Sequence, residues 1–181
     1  QRLRSVKDQI ELDLMQKACD ITEKAFRRTL NFVKPGTWEY QIEAEYMHEF
    51  LNNRSNGFAY TPIIASGNNA NVLHYIENNQ VCKDGELILI DVGAEYANYC
   101  SDMTRTIPVK GRFTKRQRDV YNAVNRVKIA ATKLLVPGAI WKDYHVEVGH
   151  LMTSELLGLG LIDKADVKNE DPNWPAYKKY F

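Results

Sequence analysis

Twice in this chain a Pro-Gly pair separates a long run of helical spacing from a shorter one, and this recurrence limits the possible folds more than any other feature. Val33-Lys-Pro-Gly-Thr-Trp38 followed by Glu43 is echoed by Val136-Pro-Gly-Ala-Ile-Trp141 followed by Glu147; the prolines lie 102 residues apart and the glutamates 104. Proline followed by glycine ends a helix and turns the chain. The fold must therefore hold two helix pairs, each with a corner.

In the first pair, Ser5 with Asp8 three residues on has capping-box spacing. Val6, Ile10, Leu14, Ala18, Ile21 and Ala25 then form one face of a helix reaching about Val33. Thr37 caps the shorter helix, whose apolar side is Ile42, Tyr46, Met47 and Phe50 and whose end lies near Leu51. In the second pair, Thr114 and Gln117 form the box, Val120, Val124, Val127 and Ala131 the face, and the shorter helix spans about Trp141 to Leu157.

Between the pairs lie strand patterns. Phe58 to Ala65 reads as a strand with an edge or bulge at Pro62, Ser66 to Ala70 as a loop, and Val72 to Ile76 as a short strand containing His74. After the polar turn Lys83-Asp84-Gly85, the segment Leu87 to Pro108 reads as a β-hairpin. A turn centred between Tyr96 and Ala97 places Asp91 directly opposite Asp102, on one face. Like charges at that separation, roughly 4.5–5.5 Å between Cβ atoms, destabilise a sheet. A shared proton or bound cations would offset the repulsion; the plainer alternative is two solvated aspartates on an edge hairpin. Asp91 ends the run Leu87-Ile-Leu-Ile90, which reads as buried on both faces and argues for a partner.

Composition excludes several function classes. With 24 Lys and Arg against 23 Asp and Glu, the net charge is +1, so no overall field would steer nucleic acid or an anionic membrane. The basic residues Lys110, Arg112, Lys115, Arg116 and Arg118, around the first turn of a helix, read as a solvated face. No apolar run is long enough to span a membrane. Cys19, Cys82 and Cys100 lack metal-knuckle spacing, and their odd number fits a reducing, cytoplasmic setting. Cys100 has the strand parity of Asp102 and reads as a small buried filler.

Ile90-Asp-Val-Gly-Ala94, the run Ser101-Asp-Met-Thr-Arg-Thr106 at D-x10-D spacing, Leu73-His-Tyr75 and Phe113-Thr-Lys-Arg-Gln-Arg118 resemble the metal-dependent aminopeptidase P and prolidase family. The resemblance covers nearly the whole chain and implies the pita-bread fold, an α/β (α+β) architecture. It further implies that Asp91 and Asp102 bind a centre of two divalent ions, commonly manganese, and that His74 lies beside the substrate as a catalytic residue. The reaction implied is hydrolysis of Xaa-Pro bonds at the amino end of proline-containing peptides. The segment Gly67 to Asn78 looks more like this branch than like the methionine aminopeptidases.

In the family, one histidine and two glutamates from a second sheet half complete the centre. No segment here resembles the His-Gly-x-x-His-x-x-Gly stretch that carries the histidine. His145 and His150, five residues apart and about 140° apart around a helix, do not replace it. The organisation expected is a first helix pair and sheet half over 1–110, a second helix pair over 112–160, and a lead-in to the second sheet half over 161–181. Metal binding by these residues alone is expected to be weak, and the chain inactive by itself. The alternatives are a noncatalytic pita-bread binding module and a homodimer in which each copy covers surfaces of the other.

Overall fold

Gly36 and Gly138 both adopt left-handed backbone, at φ +92° and +89°, with open space where a Cβ would lie. The two corners therefore need glycine for its conformation and not for lack of room. The computed structural model describes residues 2–180 and divides the chain into two units, Gln1–Phe113 and Thr114–Phe181, each holding one helix pair.

The first unit opens with the short α1 (Arg2–Ser5), then α2 (Gln9–Phe32) and α3 (Glu39–Asn52). Asp8, not Ser5, caps α2: its N–H donates to Glu11 Oε2 at 2.7 Å, a box of the same spacing shifted three residues along. Ala18, Ile21 and Ala25 are buried as expected, whereas Val6 and Ile10 are exposed. Trp38, not Thr37, caps α3, donating its N–H to Gln41 Oε1 at 2.9 Å. Ile42, Tyr46 and Phe50 form its buried face.

Six strands follow: β1 (Gly57–Phe58), β2 (Ile63–Ser66), β3 (Leu87–Val92), β4 (Ala94–Tyr96), β5 (Tyr99–Cys100) and β6 (Met103–Pro108). They form two antiparallel sheets, ordered β1-β4-β5 and β2-β3-β6. Two strand expectations are corrected. The stretch from Phe58 to Ala65 is two strands in different sheets, parted at Ala59–Pro62, where proline has no N–H to give a ladder. The stretch from Val72 to Ile76 is not a strand. It follows a 3-10 helix, Gly67–Asn71, and His74 sits at φ +54°, outside the β region.

Strand β3 alternates: Ile88, Ile90 and Val92 are buried, while Leu87, Leu89 and Asp91 are half-buried. Its buried face joins Ile21, Ala25, Ile42, Tyr46 and Phe50 in one core, so β3 is covered by helices on one side and not equally on both as expected. At about 1.5–3 kcal/mol for each large side chain fully buried, this face decides which way the strand faces. Asp91 is thereby directed to the other side.

In the second unit, α4 (Lys115–Leu134) and α5 (Trp141–Gly158) take the expected spans, and Thr114 Oγ1 accepts from Gln117 N. Arg126 grips Glu155 with two bonds of 2.7 and 2.6 Å. Beyond α5 come α6 (Lys164–Lys168) and a 3-10 turn, Ala176–Tyr180, which pack on Leu156 and Ile162. Among the described residues there, the β pairing is a lone bridge between Asp171 and Trp174. No helix among the described residues is long and apolar enough to cross a membrane.

Candidate active site

The hairpin turns at Ala97 and Asn98, at φ +50° and +68°, and Tyr96 pairs with Tyr99. Positive φ at both central residues is what a two-residue hairpin turn of type I′ requires. The turn thus lies one residue later than expected, and each partner moves by two. Asp91 pairs with Thr104, not Asp102. A shift of two preserves the face, so the aspartates become diagonal neighbours on one side of the hairpin.

Asp102 leaves the ladder at the break between β5 and β6, and the break is built. Gly93 passes so near Ser101 that a Cβ there would lie 1.9 Å from the Ser101 carbonyl oxygen. Ala94 N donates to both Thr22 Oγ1 and Ser101 Oγ at 2.9 Å, and these hydroxyls lie 2.6 Å apart. Helix α2 therefore pins the residue next to Asp102.

Tyr60 sits in the gap between β1 and β2. Its hydroxyl lies 2.7 Å from Asp91 Oδ1 and 3.1 Å from Asp102 Oδ1, one donor facing two acceptors. Burial first, then the hydrogen bond and charge of Asp91 and the charge of Asp102, push this phenol far above its ordinary range, so it keeps its proton. The repulsion between the carboxylates is met here by a phenol.

His74 is exposed, in the turn after the 3-10 helix. The loop bearing it is fastened on both flanks. Glu39, wholly buried at the start of α3, accepts at Oε1 from Ser66 N and Oγ, both 2.7 Å, and from Asn69 Nδ2 at 3.2 Å. At Oε2 it accepts from Tyr75 Oη at 2.8 Å and Gln80 N at 3.0 Å. Asn78 accepts from Ile64 N at 3.0 Å and donates to Pro62 O at 3.1 Å and Glu43 Oε2 at 3.0 Å, replacing a strand partner beside the Tyr60 segment.

Cys100 is exposed, not a buried filler, because β5 is an edge strand. His145 lies edge-on to Trp141 at 4.5 Å on the exposed side of α5, and His150 is exposed. Among the described residues no group of three or more His, Cys, Asp or Glu side chains is arranged to hold a metal ion. Two carboxylates with oxygen donors suit a hard divalent ion but supply only part of the six or so ligands it takes. Sequence reasoning missed Tyr60, Thr22, Ser101 and Glu39. Only Glu39 carried a readable signal, an acidic residue in the first turn of a helix.

The chain that carries these helix pairs, antiparallel sheets and paired carboxylates belongs to metallopeptidase family M24, whose profile matches residues 13–178. Within the family it is similar to the Xaa-Pro aminopeptidase of Haemophilus influenzae, at 40% identity over 165 residues, 91% of this chain and 38% of that protein. Among solved structures it resembles the aminopeptidase PepP of Pseudomonas aeruginosa, with a TM-score of 0.84 and 39% identity over 87% of this chain and 36% of that one. The zinc-substituted aminopeptidase P of Escherichia coli in complex with product superposes equally well, with a TM-score of 0.84 and 38% identity over the same shares. The chain thus spans well under half of the relatives it matches. Its fold is the expected α/β pita-bread fold of aminopeptidase P, over a part of those chains.

Proposed function

We propose that this chain is part of a metal-dependent exopeptidase that hydrolyses Xaa-Pro bonds at the amino end of peptides, with Asp91 and Asp102 as ligands of two divalent ions, manganese first among them. The observation that carries this reading is the pair of carboxylates on one face of the hairpin, joined through the Tyr60 hydroxyl. The chemistry such ions supply is polarisation of a carbonyl and activation of water.

The chain's own residues prepare the place. Tyr60 orients both carboxylates by holding one oxygen of each, which leaves Asp91 Oδ2 and Asp102 Oδ2 for other partners. Thr22 and Ser101 fix the backbone beside Asp102. His74, on a fastened loop with its side chain exposed, contacts the substrate. With two carboxylates and no third ligating side chain beside them among the described residues, the chain by itself binds metal weakly and does not turn over. Three unpaired cysteines speak for a cytoplasmic setting.

Calorimetric titration with Mn²⁺ of the chain and of the full protein, alongside an Xaa-Pro peptide assay, tests the proposal. Expected are tight binding of two ions and cleavage by the full protein only, with cleavage abolished by Asp102→Ala. Tight binding or cleavage by the chain alone would overturn the split site. A full protein inactive with every divalent metal, yet stoichiometrically bound to a partner protein, would favour the binding module.

A further inference from the structure

His74 at φ +54° and Asn78 at φ +45° are two non-glycine residues in the left-handed region within five positions. Each such conformation is strained and persists only where the surroundings over-determine it. Of the apolar residues around His74, Tyr75 is buried, while Val72, Leu73 and Ile76 are exposed. Side-chain hydrogen bonds hold the loop instead: Asn78 makes three, to Ile64, Pro62 and Glu43, and the larger number meet at Glu39. The Glu39 carboxylate, without solvent contact, takes five donors from Ser66, Asn69, Tyr75 and Gln80, which bracket His74 before and after.

We propose that Glu39 is the positioning residue for His74: its buried carboxylate gathers residues 66–80 into the one arrangement in which His74 holds its left-handed backbone. Hydrogen bonds to a charged acceptor are about twice as strong as neutral ones, and loss of the acceptor strands several buried donors at once. Glutamine at this position keeps the volume but presents an NH₂ group to donors that need an acceptor. The consequence for catalysis rests on the reading of His74 given above; the hold on the loop does not.

Two measurements on the full protein test this. In hydrogen exchange, Glu39→Gln is expected to speed exchange at Ser66, Tyr75 and Gln80 by about tenfold or more, with the core amides of Ile88 and Ile90 unchanged. In peptide hydrolysis, Glu39→Gln is expected to lower kcat about 100-fold with little change in KM, and the double variant with His74→Ala to be no slower than His74→Ala alone. Losses that multiply in the double variant, or core amides that loosen with the loop, would overturn the proposal in favour of a general structural role. A silent His74→Ala would sink the catalytic reading of that residue, while the exchange result still decides the hold of Glu39. Tyr75→Phe deletes one of the five donors and is expected to give the same local pattern more mildly, which covers a Glu39→Gln protein that does not fold.

Discussion

Gly93 and Ser101 pass each other with no room between them: any side chain on Gly93 would enter the Ser101 carbonyl. This close approach is where the hairpin passes from one sheet to the other and where Asp102 leaves the ladder. Gly93→Ala cannot be relieved by a rotamer change, because the obstacle is backbone. It is expected to cost about 3 kcal/mol, at the upper end of overpacking effects, read as a lowered urea midpoint. Unchanged stability would mean the strands can separate freely at the break.

Tyr60→Phe keeps the ring and removes the one proton shared between Asp91 and Asp102. If Asp91 and Asp102 are ligands as proposed, losing the group that orients both is expected to weaken Mn²⁺ binding by the full protein about 10- to 100-fold, measured by calorimetry. Full affinity in that variant would show that the carboxylates orient themselves.

Burial and the bond to Glu39 push the Tyr75 phenol up to about 12, against 10 for an unburied tyrosine. Between those values the unfolded chain gives up a proton that the folded chain retains, so stability falls as pH rises. The contribution is whole below pH 10 and gone above about 12. In Tyr75→Phe the urea midpoint should fall less steeply across this window. A slope identical to that of the parent would show that Tyr75 is not the group responsible.

Burial pushes the Cys82 thiol up to about 11, with the nearby Glu39 charge adding to the effect, while Cys19 and Cys100 are exposed. Because the thiolate is the reactive form, a disulfide reagent at pH 8 should modify Cys19 and Cys100 and reach Cys82 only after unfolding. Rapid modification of Cys82 in the folded protein would place it outside the core.

The features legible in the sequence are those written in short-range patterns. Both Pro-Gly corners, the buried faces of α2 and α3, the Thr114 cap and the shared face of Asp91 and Asp102 follow from spacing alone. The turn centre did not, because Ala97 adopts positive φ without being glycine, asparagine or aspartate, and Asn98 alone does not fix the centre. Val72 and Ile76 make the stretch around His74 read as a strand, whereas its neighbours Ser66, Asn69, Tyr75 and Gln80 are bonded to Glu39 of a helix 27 or more residues away. Tyr60 was invisible for a similar reason. Its neighbours say only that a strand is interrupted, and its partners lie 31 and 42 residues further on.

The clamp between Thr22 and Ser101 joins residues 79 positions apart, and a bond from Tyr99 Oη to Glu11 Oε1 spans 88. Turns of helix and the tip of a hairpin form from neighbours within roughly 1–10 μs, but loops of that length close at an entropic cost that rises with the logarithm of their span. The hairpin can therefore exist before α2 lies along it, without the kink that carries Asp102 beside Tyr60. A synthetic peptide covering residues 85–110 would contain both aspartates and the turn, and still lack the site. The place of the carboxylate pair thus depends on a long-range contact with helix α2 as well as on the hairpin's own register.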